Sequence, residues 1–306
     1  MRLVTRSDFD GLACAVLLKE KGIITNYKFA HPKDLQDGIV EIGPDDVLAN
    51  VPYVPGCGMW FDHHTSEYER LKDKLEVPGD SRPLPSCARV IWEYYGGHKS
   101  FSKSLDAMME AVDKVDSGQL SHEDILNPKG WVMIGFIMDP RTGLGRYHNY
   151  RISNYCLMEA MIEYCRSMDA DEIFELFDVK ERVDIYKKDL EPFKQMLKAN
   201  SKVYDKLVVT DLRNQDTIYA GNRFMVYSLY PNCNISMQVM WGIRKQNTVA
   251  TVGYSILNRT SKLNVGSLML KYGGGGHPQV GTCQICNENS EEKLAELIQA
   301  IVKENN

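Results

Sequence analysis

Lysines and arginines number 36 against 41 aspartates and glutamates in a chain of 306 residues, a formal net charge of −5, which argues against the broad basic surface that long nucleic acids need. With 43% hydrophobic and 25% charged residues and no low-complexity tract, the composition is that of a globular protein long enough for two ordinary domains. No run approaches the ~20 apolar residues of a bilayer span, no leader-like segment is visible, and eight scattered cysteines read as reduced thiols, so a cytoplasmic protein without membrane contact is expected.

Leu3 and Val4 end a buried strand, and Gly11 to Lys21 follow with helical character and Gly22 as a stop. Tyr27–Ala30, Val47–Val51 and Gly58–Phe61 read as further strands, and strands alternating with helices at this spacing predict a mostly parallel sheet flanked by helices. Helices are expected at Ser86–Tyr95, Lys103–Val115, Gly130–Met138 and Ser153–Ser167. Asp178 to Lys206 is charged and helical in period, interrupted by Pro192, with no obvious fully buried face, and reads as a connector. Leu207–Thr210, Met225–Leu229, Ile235–Met240, Val249–Ile256 and Val280–Ile285 predict a second, smaller sheet. Leu263–Leu270 reads as a short helix, and Ser290–Lys303 as an amphipathic one with Leu294, Leu297, Ile298 and Ile301 on one face. The boundaries are therefore placed at 1–175, 176–205 and 206–306: an α/β domain, a helical linker and a smaller α/β domain, with a cleft expected between the two domains. The close pair Cys283 and Cys286 has no second CxxC to complete a zinc site and reads as strand packing.

In open α/β sheets the functional crevice lies at the carboxyl ends of the strands, and the polar motifs fall there. Asp8 and Asp10 follow the first strand in LVTRSDFDG, Asn50 ends the third, and Asp62, His63 and His64 follow the fourth in GMWFDHHTSE. Asp113 and Asp116 stand near a helix end in AVDKVDSGQL. Carboxylates mixed with imidazole suit Mn²⁺ or Mg²⁺. Four glycines and a histidine in KYGGGGHPQVG leave the backbone bare for an anion, without matching a P-loop or the dinucleotide fingerprint. MDPRTGLGRYHNYR, from Met138 to Arg151, is rich in Arg and Gly and reads either as a lining of the cleft or as a surface loop.

DxDG after the first strand, DHH after the fourth and GGGGH near the end of the chain resemble the DHH phosphoesterase superfamily, in the branch carrying a DHHA1 domain (nanoRNases and exopolyphosphatase-related proteins). The resemblance covers nearly the whole chain. It implies hydrolysis of a phosphate ester or anhydride by water activated between two Mn²⁺ ions. It further implies that Asp8 and Asp10 each hold a metal, that His63 is a ligand with Asp62 as its motif partner, and that His64 meets the scissile phosphate. Asp116 would be the later aspartate ligand, with Asp113 in reserve. Gly274, Gly275, Gly276 and His277 would hold the substrate's other phosphate or terminal nucleotide, with Arg259 as a partner or as an exposed loop arginine.

Two positions depart from the family pattern: Arg6 stands where a ligand is expected, and Asn50 where an aspartate would bridge the metals. One well-held ion rather than two is therefore expected, with Arg6 supplying a fixed positive charge to Asp8 or to the substrate. The expected substrate is a small phosphorylated ligand, a short oligonucleotide or dinucleotide, and not a long duplex. Two alternatives are a catalytically impaired nucleotide- or phosphate-binding protein and a pyrophosphatase- or exopolyphosphatase-like anhydride hydrolase. A homodimer is compatible with all of them.

Overall fold

The computed structural model describes residues 1–71 and 77–305. The chain forms two compact units, Met1–Gln119 with Pro128–Ile185, and Leu120–Asn127 with Tyr186–Asn306.

In the first unit the elements run β1 (Arg2–Thr5), α1 (Phe9–Glu20), β2 (Asn26–Phe29), α2 (Pro32–Gln36), β3 (Asp46–Ala49), β4 (Met59–Asp62), α3 (Thr65–Leu71), β5 (Gly79–Ser81), α4 (Cys87–Tyr94) and α5 (Asp106–Asp116). The short α6 (His122–Leu126) belongs to the second unit, and α7 (Gly130–Met138), α8 (Asn154–Ser167) and α9 (Ala170–Phe174) return to the first. All five strands are parallel, in the order β2-β1-β3-β4-β5. Growth of the sheet reverses at β1, so the topological switch point lies between β1 and β3, the place where such sheets open a binding crevice. Leu3, Val4, Val47 and Leu48 are fully buried, and α1 is buried from Phe9 through Leu18, a helix enclosed on all sides rather than an amphipathic one.

Helix α10 (Phe177–Ala199) is continuous and carries Pro192 inside it, where the sequence predicts an interruption and shows no obvious fully buried face. Val179, Arg182, Val183, Tyr186, Asp189, Phe193, Met196 and Leu197 form a buried stripe, disguised because two of its members are charged. Pro192 removes only the bond to the carbonyl of Lys188, an exposed residue whose carbonyl water can serve.

The second unit continues with β6 (Ser201–Tyr204), β7 (Leu207–Asp211), α11 (Met225–Leu229), β8 (Ile235–Trp241), β9 (Thr248–Tyr254), α12 (Val265–Leu270), β10 (Gly275–His277), β11 (Val280–Ile285) and α13 (Ser290–Glu304). Its sheet order is β10-β11-β9-β8-β7-β6, antiparallel except for β7 with β8. Alternate residues of β8, β9 and β11 face a core completed by Leu268, Met269, Leu294, Leu297 and Ile301 from α12 and α13. Cys283 packs in that core as expected, whereas Cys286 is exposed beyond the strand.

Met225–Leu229, which reads as a strand in the sequence, is a helix. Buried Asn222 stands at its start, accepting from Phe224 N–H through its side chain (3.1 Å), while its amide donates to Ile125 O and the Tyr186 hydroxyl (3.0 and 2.9 Å). A five-residue apolar run has no decisive period of its own, so an asparagine with distant partners decides its state.

In the first unit Arg182 is enclosed, its side chain only 1% exposed. It donates to Ile152 O (2.6 Å), Asn154 Oδ1 (3.1 Å) and Asp178 O (2.9 Å), pairs with Glu181, and lies 3.7 Å from the Tyr150 ring centroid. Arg182→Leu leaves those carbonyls and Glu181 without their donor. It is expected to destabilise the chain by about 3–5 kcal/mol, measured as a lowered denaturation midpoint in urea.

Candidate active site

Asp8 is the N-cap of α1 and accepts from Gly11 N–H at 3.0 Å. The chain folds back so closely over this turn that a Cβ on Gly11 would lie 2.0 Å from Arg6 O, so only glycine fits there. Asp10, two positions further on, is turned inward and buried. Its Oδ1 accepts from Ala88 N–H (2.8 Å) and its Oδ2 from Cys87 N–H (3.0 Å). These are the first amides of α4, whose cap is Ser86, so the Asp10 carboxylate sits on the positive end of that helix.

His63 leaves the end of β4 with Nδ1 3.1 Å from Leu84 O. A carbonyl can only accept, so Nδ1 carries a proton, and Nε2 is the ring nitrogen that would offer its lone pair to a cation. Nε2 lies 3.2 Å from Asp116 Oδ2 and 3.8 Å from Asp10 Oδ2. Among the described residues, Asp10, His63 and Asp116 form a group whose ligand atoms all lie within 4.8 Å of one another. Two carboxylates and an imidazole suit a divalent cation. Asp113, one helical turn earlier, is committed elsewhere, accepting from Ser86 Oγ (2.7 Å) and Arg89 Nε (2.8 Å).

The electrostatics also fit a cation. Burial, together with the charges of Asp116 and Asp8, pushes the Asp10 carboxyl well above the usual range against the lowering effect of the two amides. Asp116 is raised chiefly by burial, with His63 opposing and Asp8 reinforcing. Both shifts run in the direction that a cation beside the pair would oppose.

Asp8 and Asn50 do not join this group. Asn50, held at a positive φ of 55° at the end of β3, donates its amide to Asp8 Oδ1 at 3.2 Å. Arg6 Nε lies 3.2 Å from Asp8 Oδ2. The Asp8 oxygens are thus engaged by a cap, an amide and a guanidinium. Asp62 is buried and accepts from His64 twice, from the backbone N–H (3.2 Å) and at Nδ1 (2.9 Å). Burial alone would lower the His64 pKa, but the bond to Asp62 and the charges of Asp62 and Asp116 outweigh it and raise it.

In the second unit Gly274, Gly275, Gly276 and His277 reach β10, an edge strand of the sheet rather than a linker. A Cβ on Gly274 would meet Thr282 O at 2.1 Å and one on Gly276 would meet Val280 O at 2.2 Å, while Gly275 faces open space. Packing therefore accounts for part of the glycine run, and the run still leaves one bare edge. Arg259 donates from Nε to Ile256 O at 3.0 Å in the turn after β9.

Sequence reasoning does not find the amides of Cys87 and Ala88 or the carbonyl of Leu84, because backbone groups carry no residue signature; the only local sign is Ser86 as a cap. It also leaves Arg141 and Asp139 open, in a stretch that folds as two short 3₁₀ turns, Pro140–Thr142 and Leu144–Arg146.

A scan against family models and a search of curated proteins find no match. Among solved structures, the chain is similar to the pGpG-specific phosphodiesterase PggH from Vibrio cholerae at 50% sequence identity over 99% of both chains, with a TM-score of 0.87. It also shares the fold of the DHH domain of a member of the s1p family of ribosomal proteins, at 11% identity and a TM-score of 0.58, covering 100% of this chain and 87% of that one. The chain belongs to the DHH phosphoesterase superfamily. RecJ from Thermus thermophilus, solved with Mg²⁺ and with Mn²⁺, has the same fold at 14% identity and a TM-score of 0.52; the match covers 99% of this chain and 49% and 52% of those two. No described helix of this DHH phosphoesterase is long and apolar enough to cross a membrane.

The perturbed carboxylates and imidazole can be checked in solution. Because burial raises Asp116, its charged form opposes folding above that raised pKa. Metal-free Asp116→Asn should therefore melt no lower than the parent at about pH 8, and any rise in Tm that Mn²⁺ gives the parent should be absent from it, as read by scanning calorimetry. His64 in the metal-free protein should titrate above 6.5 by NMR, and in Asp62→Asn, where burial is left to act, it should fall toward or below 6.5. The stability His64 contributes is present below the unfolded-state pKa and lost as pH rises through the raised one, so that pH dependence should shrink in Asp62→Asn.

Proposed function

We propose that the chain is a divalent-metal-dependent phosphodiesterase that hydrolyses a linear dinucleotide, with pGpG as the substrate. The observation that carries this reading is the 50% identity over 99% of both chains with a pGpG-specific phosphodiesterase. The carboxylate and imidazole group of the first unit agrees with it.

One ion, Mn²⁺ or Mg²⁺, would be held by Asp10, His63 and Asp116. When bound, it supplies Lewis-acid polarisation of a phosphoryl oxygen and a water of lowered pKa. The engagement of Asp8 by Arg6, Asn50 and Gly11 supports one ion rather than two, with the Arg6 guanidinium providing the second positive charge. Asp62 orients His64 and favours its protonated form, in which His64 can donate to the phosphate or to the departing oxygen. In the reaction the water oxygen bonds to phosphorus and the bond from phosphorus to the ribose 3′ oxygen breaks. That oxygen takes up a proton, and two GMP molecules result. Gly274, Gly275, Gly276 and His277, with Arg259, are assigned to the substrate's other phosphate or terminal nucleotide, as the family resemblance implies. A net charge of −5 suits a two-nucleotide ligand better than a long strand.

The test is a panel of pGpG, a linear diadenylate, pyrophosphate and a long single strand, each incubated with the protein and Mn²⁺ and resolved by chromatography. GMP should appear from pGpG, the long strand should persist, and His63→Ala should lower kcat by at least about 10³-fold. Absence of GMP from pGpG would sink the proposal, and faster release of phosphate from pyrophosphate would redirect it to an anhydride.

A further inference from the structure

Helix α7 docks on the two segments that carry the metal-site aspartates. A Cβ on Gly135 would lie 2.8 Å from the Phe9 ring and 3.3 Å from Val115. Phe9 stands between Asp8 and Asp10, and Val115 immediately precedes Asp116. The turn that ends α7 is therefore tied to the site through its own helix. That turn is braced: Asp139 Oδ1 accepts from both the backbone N–H and Nε of Arg141 (2.9 and 2.7 Å), and Thr142 Oγ1 donates to Phe136 O (2.6 Å).

Asp139 thus fixes the stem of Arg141 while leaving its fork. The Asp139 side chain is 10% exposed and that of Arg141 49%. Desolvation would loosen the guanidinium's hold on its proton, but the charge and hydrogen bond of Asp139, with the charges of Asp8 and Asp116 behind them, outweigh it, and Arg141 in turn lowers the Asp116 pKa. A planar, permanently charged fork whose Nε is already anchored loses little freedom when its Nη groups bind two oxygens.

We propose that Arg141, positioned by Asp139, binds a non-bridging oxygen of the scissile phosphodiester and is, with Arg6, one of two guanidiniums serving the phosphate at this site. This rests on the phosphodiesterase reading above. It also gives the MDPRTGLGRYHNYR stretch a role at the site, through its arginine at position 141.

The experiment compares the parent protein with Arg141→Gln on pGpG and on its two phosphorothioate diastereomers, with sulfur replacing one non-bridging oxygen at a time. Arg141→Gln should lower kcat/KM on pGpG by about 10- to 100-fold, the range for a lost charged hydrogen bond. On one diastereomer the parent should slow markedly while Arg141→Gln slows little further, because the oxygen it would have bound is already replaced. The Mn²⁺-dependent rise in Tm should stay within about a degree of the parent's, separating phosphate binding from damage to fold or metal site. Unchanged kcat/KM in Arg141→Gln, equal sulfur effects in both proteins, or loss of the Mn²⁺ response would each overturn the inference. A parent protein that releases no GMP removes the phosphodiesterase reading as well; an active parent with an unaffected variant removes this inference alone.

Discussion

The buried carboxylate of Asp10 organises the first unit. It belongs to the first turn of α1, yet its two oxygens are held by amides that open α4, so one side chain joins segments 77 and 78 residues apart in sequence. A lone buried carboxylate is strongly disfavoured, and amides at a helix N-terminus offset that cost only in part. The remaining demand for positive charge gives His63 and Asp116 their meaning, because they complete a donor set around a space that a cation would balance.

Beside this centre, Asp8 has been given a different partner. Arg6 and Asn50 bring a guanidinium and an amide to the carboxylate, so protein groups supply the partners that the structure gives it. A fixed cation can stabilise developing negative charge on a phosphoryl group, but it cannot polarise a water in the way a metal does. The division of labour across the switch point is thus between a side that would activate water and a side that would neutralise phosphate. The Asp139–Arg141 brace, at the end of α7, would add to the second side.

Much of this is legible in residues. The alternation of strands and helices, the DxDG and DHH motifs at strand ends, and the amphipathic last helix each depend on local pattern, and the structure keeps them. Asp116 is separable from Asp113 only in space: both are aspartates on one helix, and a salt link from Arg89 removes one of them. Met225–Leu229 and the buried stripe of α10 escape the sequence for a related reason. Asn222, Arg182 and Asp189 are polar side chains buried against partners far away in sequence, and a polar residue announces exposure until its partner is known.

What the sequence by itself determined is the set of chemical groups and their order: two aspartates at the first strand end, a histidine pair at the fourth, a glycine run near the end of the chain, and an arginine and an asparagine beside the first and third strand ends. Those follow from covalent neighbours and local periodicity. Only the tertiary structure decided which aspartates meet the histidine, which one is given to an arginine, and that the Arg141 turn is tied to the helices carrying Asp10 and Asp116. Those outcomes depend on where helices dock and on which buried charge finds which donor, quantities set by long-range packing and by the cost of leaving a charge unpaired.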